Sequence, residues 1–136
     1  MLFRSTGQMR EPKWALGEVV LALHEQSLAQ FGGSAGICDR GLLDSALARP
    51  QNLFAYGKPS HFDLAASYAF GLVKNHPFVD GNKRAGFIVA VLFLELNGYR
   101  FHASEADATV RTLALAAGAM DQHEYAAWLE ENSSRR

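Results

Sequence analysis

One short segment of the sequence, NHPFVDGNKRAGF at residues 75–87, concentrates side chains that could carry out chemistry. It holds a histidine, a carboxylate, a glycine, an amide and two cations within nine residues. Two strongly apolar stretches flank it, and a purely structural connection between them would need only a polar turn. The set of side chains is typical of a site that transfers phosphate.

The second half of the segment has the features of a phosphate-binding turn. Gly81 lets the backbone bend and approach a ligand closely. Asn82 can cap the following helix, whose first amide hydrogens lack internal partners and attract phosphate. Lys83 adds a mobile charge, and Arg84 adds a planar fork that matches phosphate oxygens. We therefore expect these four residues to bind the phosphates of a nucleotide.

The first half supplies a base and a metal ligand. Asp80 offers a hard oxygen ligand, and Mg²⁺ typically binds one or two carboxylates together with the phosphates of a substrate. The imidazole of His76 can accept the proton of an attacking hydroxyl near neutral pH. Pro77 and Phe78 are expected to fix the loop, with Phe78 in the core.

Each of these residues also has a structural interpretation when it is taken alone. A histidine at a helix exit is more often a structural hydrogen-bond partner, Asp-Gly-Asn is usually a turn, and Lys-Arg usually lies on a solvated face. Their combination in one loop at a helix N-terminus favours the functional interpretation. The other histidines have no metal-ligand spacing and are expected to be surface or core polar groups.

The first half of the chain predicts two helices. Apolar residues recur at three- and four-residue spacing over about 13–31, and Asp39 can cap a shorter helix that Pro50 ends. The stretch 51–62 contains Gly, Pro and Ser, which predicts an ordered loop or a small hairpin.

Four further helices follow, and their candidate N-caps are Asp63, Asn82, Ser104 and Asp121. The second of them carries the longest apolar run, Ala85 to Leu94, which spans about 15 Å. This is about half of a bilayer's hydrocarbon thickness, so the run predicts a buried helix. An extended link is expected at 99–103 and a frayed end at 132–136.

Length and composition restrict the class of protein. The 136 residues, nearly half of them apolar, predict a compact single domain over 1–136 with flexible termini. Thirteen basic and fourteen acidic residues leave no general positive charge, so no direct nucleic-acid binding is expected. A single cysteine and the lack of a signal-peptide pattern indicate a cytoplasmic protein with no membrane partner.

HPFVDGNKR, at residues 76–84, resembles the signature of the Fic/Doc superfamily, and Lys83 resembles the death-on-curing (Doc) branch in particular. Likeness extends over about residues 11–131, and further matching stretches are 31–50, 55–57 and 93–98. The resemblance implies a compact all-α fold in which a central buried helix follows the loop at 76–81, called the motif loop below. It also allows a small flap hairpin.

The resemblance implies a role for each matching residue. His76 would be the general base and Asp80 the Mg²⁺ ligand, and the groups that hold the phosphates of the co-substrate ATP would be Asn82, Lys83 and Arg84. Two positions depart from the broader Fic pattern. Lys83 stands where glycine is usual, and Phe87 stands where a second arginine is usual. Both changes favour transfer of the terminal phosphate, and AMP transfer is the alternative.

Relatives in the Doc branch are toxins of type II toxin–antitoxin systems that phosphorylate elongation factor Tu on a threonine and stop translation, which suggests that substrate here. A separate antitoxin is expected to cover the active-site groove, since the chain lacks a Ser/Thr-x-x-x-Glu-Gly/Asn inhibitory pattern. A substrate-docking flap would fall within residues 52–59. Phe54 and Tyr56 are docking candidates, with core packing as the alternative.

Two other classes of protein compete with a transferase. A catalytically idle module could keep the fold and bind only an antitoxin, but the complete set of His76, Asp80, Asn82 and Arg84 argues against it. A nuclease toxin has little support, because metal-dependent cleavage usually gathers several acids and the net charge is close to zero.

Overall fold

The computed structural model describes residues 10–136, and six helices make up most of this part of the chain. They are α1 (Gly17–Phe31), α2 (Arg40–Tyr56), α3 (His61–Asn75), α4 (Asn82–Leu96), α5 (Glu105–Ala117) and α6 (Gln122–Glu131). Two short strands, β1 (Tyr99–Phe101) and β2 (Ser133–Arg135), form an antiparallel pair. The all-α prediction is confirmed. The predicted flexibility of the first nine residues lies outside the described part.

Helices α3 and α4 form the centre of the structure, and the motif loop connects them. Almost every residue of α3 from Phe62 to Val73 is buried. Gly86 lets α4 approach α3 closely, because a Cβ atom there would lie 3.0 Å from Val73 Cγ1. The predicted buried helix after the motif loop is therefore confirmed, and its partner α3 is at least as deeply buried.

Helix α2 continues through Pro50, so the prediction that Pro50 ends it is wrong. Pro50 is buried together with Leu43 and Ala46, at helical spacing, on the face of α2 that packs against α3. This burial outweighs the loss of one backbone hydrogen bond. The loop or hairpin predicted over 51–62 is wrong for residues 51–56, which are the last turns of α2, and only residues 57–60 form a loop.

The helix N-caps predicted from the sequence are confirmed for some helices and wrong for others. Ser104 and Asp121 accept backbone hydrogen bonds at the starts of α5 and α6, as predicted. Helix α3 is capped by Ser60, and Asp63 completes a reciprocal capping box. Asn82 does not cap α4, because Gly81 is the N-cap residue and Asn82 is the first residue of the helix.

Both ends of the described chain are held more firmly than the sequence pattern predicts. The backbone amide of Lys13 donates to Asn97 Oδ1 (2.9 Å), so the chain is tied to the end of α4 before α1 begins. The predicted frayed C-terminus is instead β2, and Arg135 lies over the Tyr99 ring at 5.0 Å. The extended link predicted after α4 is confirmed as β1.

Hydrogen bonds between polar groups and aromatic side chains join helices α5 and α6. The hydroxyls of Thr112 and Tyr125 are hydrogen-bonded at 2.8 Å, and burial raises the pKa of Tyr125 to about 12. A hydrogen bond from Trp128 Nε1 (2.8 Å) lowers the pKa of Asp107.

Among the helices in residues 10–136, none is long and apolar enough to cross a bilayer.

Candidate functional site

His76 stands at the exit of α3, as the sequence predicts. It is the C-cap residue of the helix, in the left-handed conformation (φ 52°), and its backbone amide donates to Leu72 O (3.2 Å). The left-handed conformation is unfavourable for most residues other than glycine. The backbone turns away from the helix axis there, and the imidazole is exposed.

The interior of the motif loop is closed by Asn82. The Phe78 amide donates to Asn82 Oδ1, and Asn82 Nδ2 donates to Phe78 O, each at 2.9 Å. Both residues are buried, as expected for Phe78. The side-chain amide of Asn82 therefore holds the loop backbone and does not face the solvent-exposed side where a phosphate would arrive.

His24 supports the motif loop from α1, a contact that the sequence pattern did not predict. Its Nε2 donates to the backbone oxygen of Asp80 (2.7 Å), and its ring stacks on Phe78 at 3.7 Å between centroids. His24 is buried on the same face of α1 as Val20 and Ser27. A histidine within that apolar stripe was the signal available in the sequence.

A segment between α1 and α2 lies alongside the motif loop. Ile37 and Phe78 form an isolated antiparallel bridge. The Cys38 amide donates to Pro77 O (2.8 Å), and the Val79 amide donates to Gly36 O (3.0 Å). The chain that flanks the loop is therefore 36–38, and the prediction that a flap within 52–59 does so is wrong.

The two docking candidates lie at the other end of α3. Asn75 Nδ2 donates to Leu42 O (3.0 Å), which places the start of α2 beside the motif loop and the end of α2 far from it. Phe54 packs edge-on against Trp14 at 5.8 Å between centroids. Tyr56 is 92% exposed. The structure does not bring either residue to the loop.

Asp80 presents an exposed carboxylate at the centre of the site. Its Oδ1 accepts from the Gly81 amide (3.0 Å), and its Oδ2 accepts from the Ser34 amide (3.3 Å). Within residues 10–136, no group of three or more His, Cys, Asp or Glu residues could hold a metal ion. A single hard carboxylate fits Mg²⁺ when phosphate oxygens complete the coordination shell.

The N-terminus of α4 is open toward solvent. Gly81 (φ 78°) has no side chain, so no side-chain cap satisfies the first amides of the helix. Lys83 is exposed on this turn, and the Arg84 guanidinium lies 3.5 Å from the centroid of the Phe31 ring. Unpaired amides, the helix dipole and two cations together make this end attractive to an anion.

A groove of about 450 Å³ begins at these cations and runs between α1, α4 and α5. Phe31, Phe87 and Leu113 contribute apolar surface, and Glu105 and Thr109 contribute polar atoms. Its volume falls within the range of small-molecule sites. The ring of Phe87 also packs against Phe101, at 5.6 Å between centroids. The groove therefore joins the uncapped end of α4, with its two cations, to an apolar surface.

Comparison with known proteins agrees with this arrangement. A family model described as the Fic/DOC family matches residues 16–94. The chain is 35% identical to "Protein kinase doc" of Escherichia phage P1 over 96 residues, which cover 68% of this chain and 76% of that protein. It is 45% identical to "Toxin Doc" of Mycolicibacterium smegmatis over 76 residues, which cover 54% of this chain and 58% of that protein.

Proposed function

This chain belongs to the Fic/Doc family, and we propose on that premise that it transfers the γ-phosphate of ATP to a hydroxyl group of a protein. The observation that carries the proposal is the meeting of His76, Asp80 and two cations at the uncapped N-terminus of α4. These groups lie within residues 76–84 and supply a base, a metal ligand and phosphate-binding charges.

In this proposal His76 accepts the proton of the attacking hydroxyl. The hydroxyl oxygen forms a bond to the γ-phosphorus, the bond from that phosphorus to the bridging oxygen breaks, and ADP leaves. The free backbone amides of the first turn of α4 and the side-chain charges of Lys83 and Arg84 hold the phosphates, and Gly81 lets them approach because it has no side chain. Asn82 contributes by fixing the loop backbone, and direct contact of its side chain with phosphate is not needed.

Asp80 would hold Mg²⁺ in this site. Bound Mg²⁺ neutralises charge on the phosphates during transfer. The amides of Gly81 and Ser34 fix the orientation of the carboxylate. His24 fixes the backbone of the same residue through its bond to Asp80 O, so the carboxylate is positioned from both sides.

The identity of residue 87 favours γ-phosphate transfer over AMP transfer. The broader Fic pattern has a second arginine there, and Phe87 packs against Phe101 and lies near Trp128, with no charge to offer a phosphate. The cationic side chains proposed to contact phosphate at the start of α4 are then Lys83 and Arg84. Without the second arginine the triphosphate has one cationic contact fewer. We infer a binding mode in which its terminal phosphate is presented to the hydroxyl.

We further propose that the protein acts as a toxin. Both named relatives are Doc proteins, and one is called a toxin. Elongation factor Tu is the proposed target, with arrest of translation as the consequence. A separate antitoxin would cover the groove beside Lys83 and Arg84, which is accessible from solvent and carries exposed apolar side chains such as Leu113.

The position of the radioactive label on ATP tests the chemistry. The purified protein is incubated with Mg²⁺, a bacterial extract and ATP labelled at either the α- or the γ-phosphate, and labelled protein bands are compared. We expect a band near the size of elongation factor Tu with the γ-label only, and its loss in His76→Ala. A band with the α-label would establish AMP transfer, whereas no His76-dependent band with either label would favour a binding module.

Phe31 should matter for transfer because it orients Arg84. Loss of a cation–π contact costs about 0.5–2 kcal/mol, so Phe31→Leu is expected to lower kcat/KM for ATP about twofold to thirtyfold. Phe31→Tyr keeps the aromatic face and should retain nearly full activity. In an Arg84→Ala background, which lacks the cation, Phe31→Leu should have little further effect. An equal loss in both backgrounds would refute this role.

A further inference from the structure

A second polar pocket lies between α2, α3 and the first turn of α6. Its volume is about 380 Å³, and its polar lining residues are Ser45, Arg49, Asn52, Ser67, Asn75 and Gln122. Leu53 supplies the apolar part of the lining, and none of the lining residues is acidic. The chemistry of the pocket is therefore that of hydrogen-bond donors around one cation.

The guanidinium of Arg49 is held in place without a carboxylate. Its Nη2 donates to Gln122 Oε1 (2.9 Å), and its Cζ lies 4.7 Å from the centroid of the Phe70 ring. The ion pairs found within residues 10–136 involve other arginines, Arg40 and Arg111. Arg49 is exposed, and one of its five N–H donors is used in that bond, so its oriented guanidinium keeps free donors for a ligand.

Ser67 adds an unused hydroxyl. The residue is 1% exposed, and within the described part of the chain its Oγ has no hydrogen-bond partner. A serine inside a helix commonly donates to the carbonyl one turn earlier, and Ser67 does not. A buried hydroxyl without a partner costs stability. A ligand in the pocket that accepted a hydrogen bond from Ser67 would remove that cost.

We propose that this pocket binds the phosphate group of a small molecule. Arg49 would provide the charged fork, and Ser67 and Asn52 would provide neutral donors. Gln122 begins α6, where the carboxylates of Asp121 and Glu124 already cap the helix, so the positive charge for the phosphate comes from Arg49. Free phosphate and a phosphate monoester share this chemistry, and Leu53 with the available volume gives space for the carbon atoms of a monoester.

The test is a titration of ¹⁵N-labelled protein with inorganic phosphate at constant ionic strength, with chloride as the reference salt. We expect saturable shifts of the Ser67, Asn52 and Gln122 amides with a Kd of about 1 mM. Arg49→Gln should weaken this binding by about tenfold or more. The double variant Lys83→Ala/Arg84→Ala, which removes the cations at the motif loop, should leave these shifts unchanged.

Ser67→Ala separates binding from folding. It replaces an unpartnered hydroxyl with hydrogen, so its Tm should equal or exceed that of the wild type, while its phosphate affinity falls. Phosphoserine in the same titration identifies the kind of ligand: tighter binding than inorganic phosphate indicates a monoester, and equal binding indicates free phosphate. Shifts confined to the motif loop, or shifts at the pocket that persist unchanged in Arg49→Gln, would overturn the proposal.

Discussion

Replacing His76 by alanine should reduce the rate of phosphate transfer by about 10²- to 10⁴-fold, the usual contribution of a positioned general base. The imidazole is exposed at the end of α3, and it is the base that the motif loop presents. The measurement is the initial rate of γ-label incorporation into the target protein at saturating ATP. KM for ATP should change little, because His76 is not proposed to hold the phosphates.

The left-handed backbone at His76 calls for a matched control. Alanine is strained at φ 52°, the value at His76, whereas asparagine tolerates this conformation. His76→Asn should therefore fold at least as stably as the wild type and still lose activity, because an amide cannot accept the proton. If His76→Asn retained the wild-type rate, His76 would be only a structural cap.

Replacing Asn82 by alanine should destabilise the protein as well as inactivate it. The substitution leaves the buried amide and carbonyl of Phe78 without partners, at about 1–3 kcal/mol for each group. The free energy of unfolding, measured with urea, should fall by that combined amount. Activity should fall at temperatures where the variant is still folded, because the motif loop loses the bonds that shape it.

Asn82→Asp separates the structural role of this residue from direct phosphate binding. The carboxylate can still accept from the Phe78 amide, but it faces the Phe78 carbonyl without a hydrogen to donate. A structural role predicts that the unfolding free energy falls in Asn82→Asp as well. If both variants unfolded like the wild type and only KM for ATP rose, Asn82 would bind phosphate directly.

Local sequence patterns were sufficient for much of the architecture. Side-chain caps depend on residues three positions apart, so Ser104 and Asp121 could be identified without tertiary information. The exit of α3 at His76 followed from Pro77, which restricts the residue before it. The candidate site was also local, since His76, Asp80, Lys83 and Arg84 belong to one segment formed by the motif loop and the first turn of α4.

Tertiary packing decided what lies around that turn. Proline breaks an isolated helix, but the burial of Pro50 against α3 stabilises the continuation of α2 to Tyr56. The first part of the predicted flap is therefore helical. The bond from His24 to Asp80 O joins residues 56 positions apart, and no local pattern reports such a contact. Asn82 has a side chain suited to capping or binding phosphate, and the fold of the loop directs it to Phe78.

The sequence by itself therefore determined most of the helices and the chemical groups of the motif loop, because both depend mainly on neighbours along the chain. The tertiary structure decided which groups support that loop and which face solvent, because burial depends on residues distant in sequence. Phe31 under Arg84 and the unpartnered hydroxyl of Ser67 are of this second kind. Each arises only where separate helices pack together.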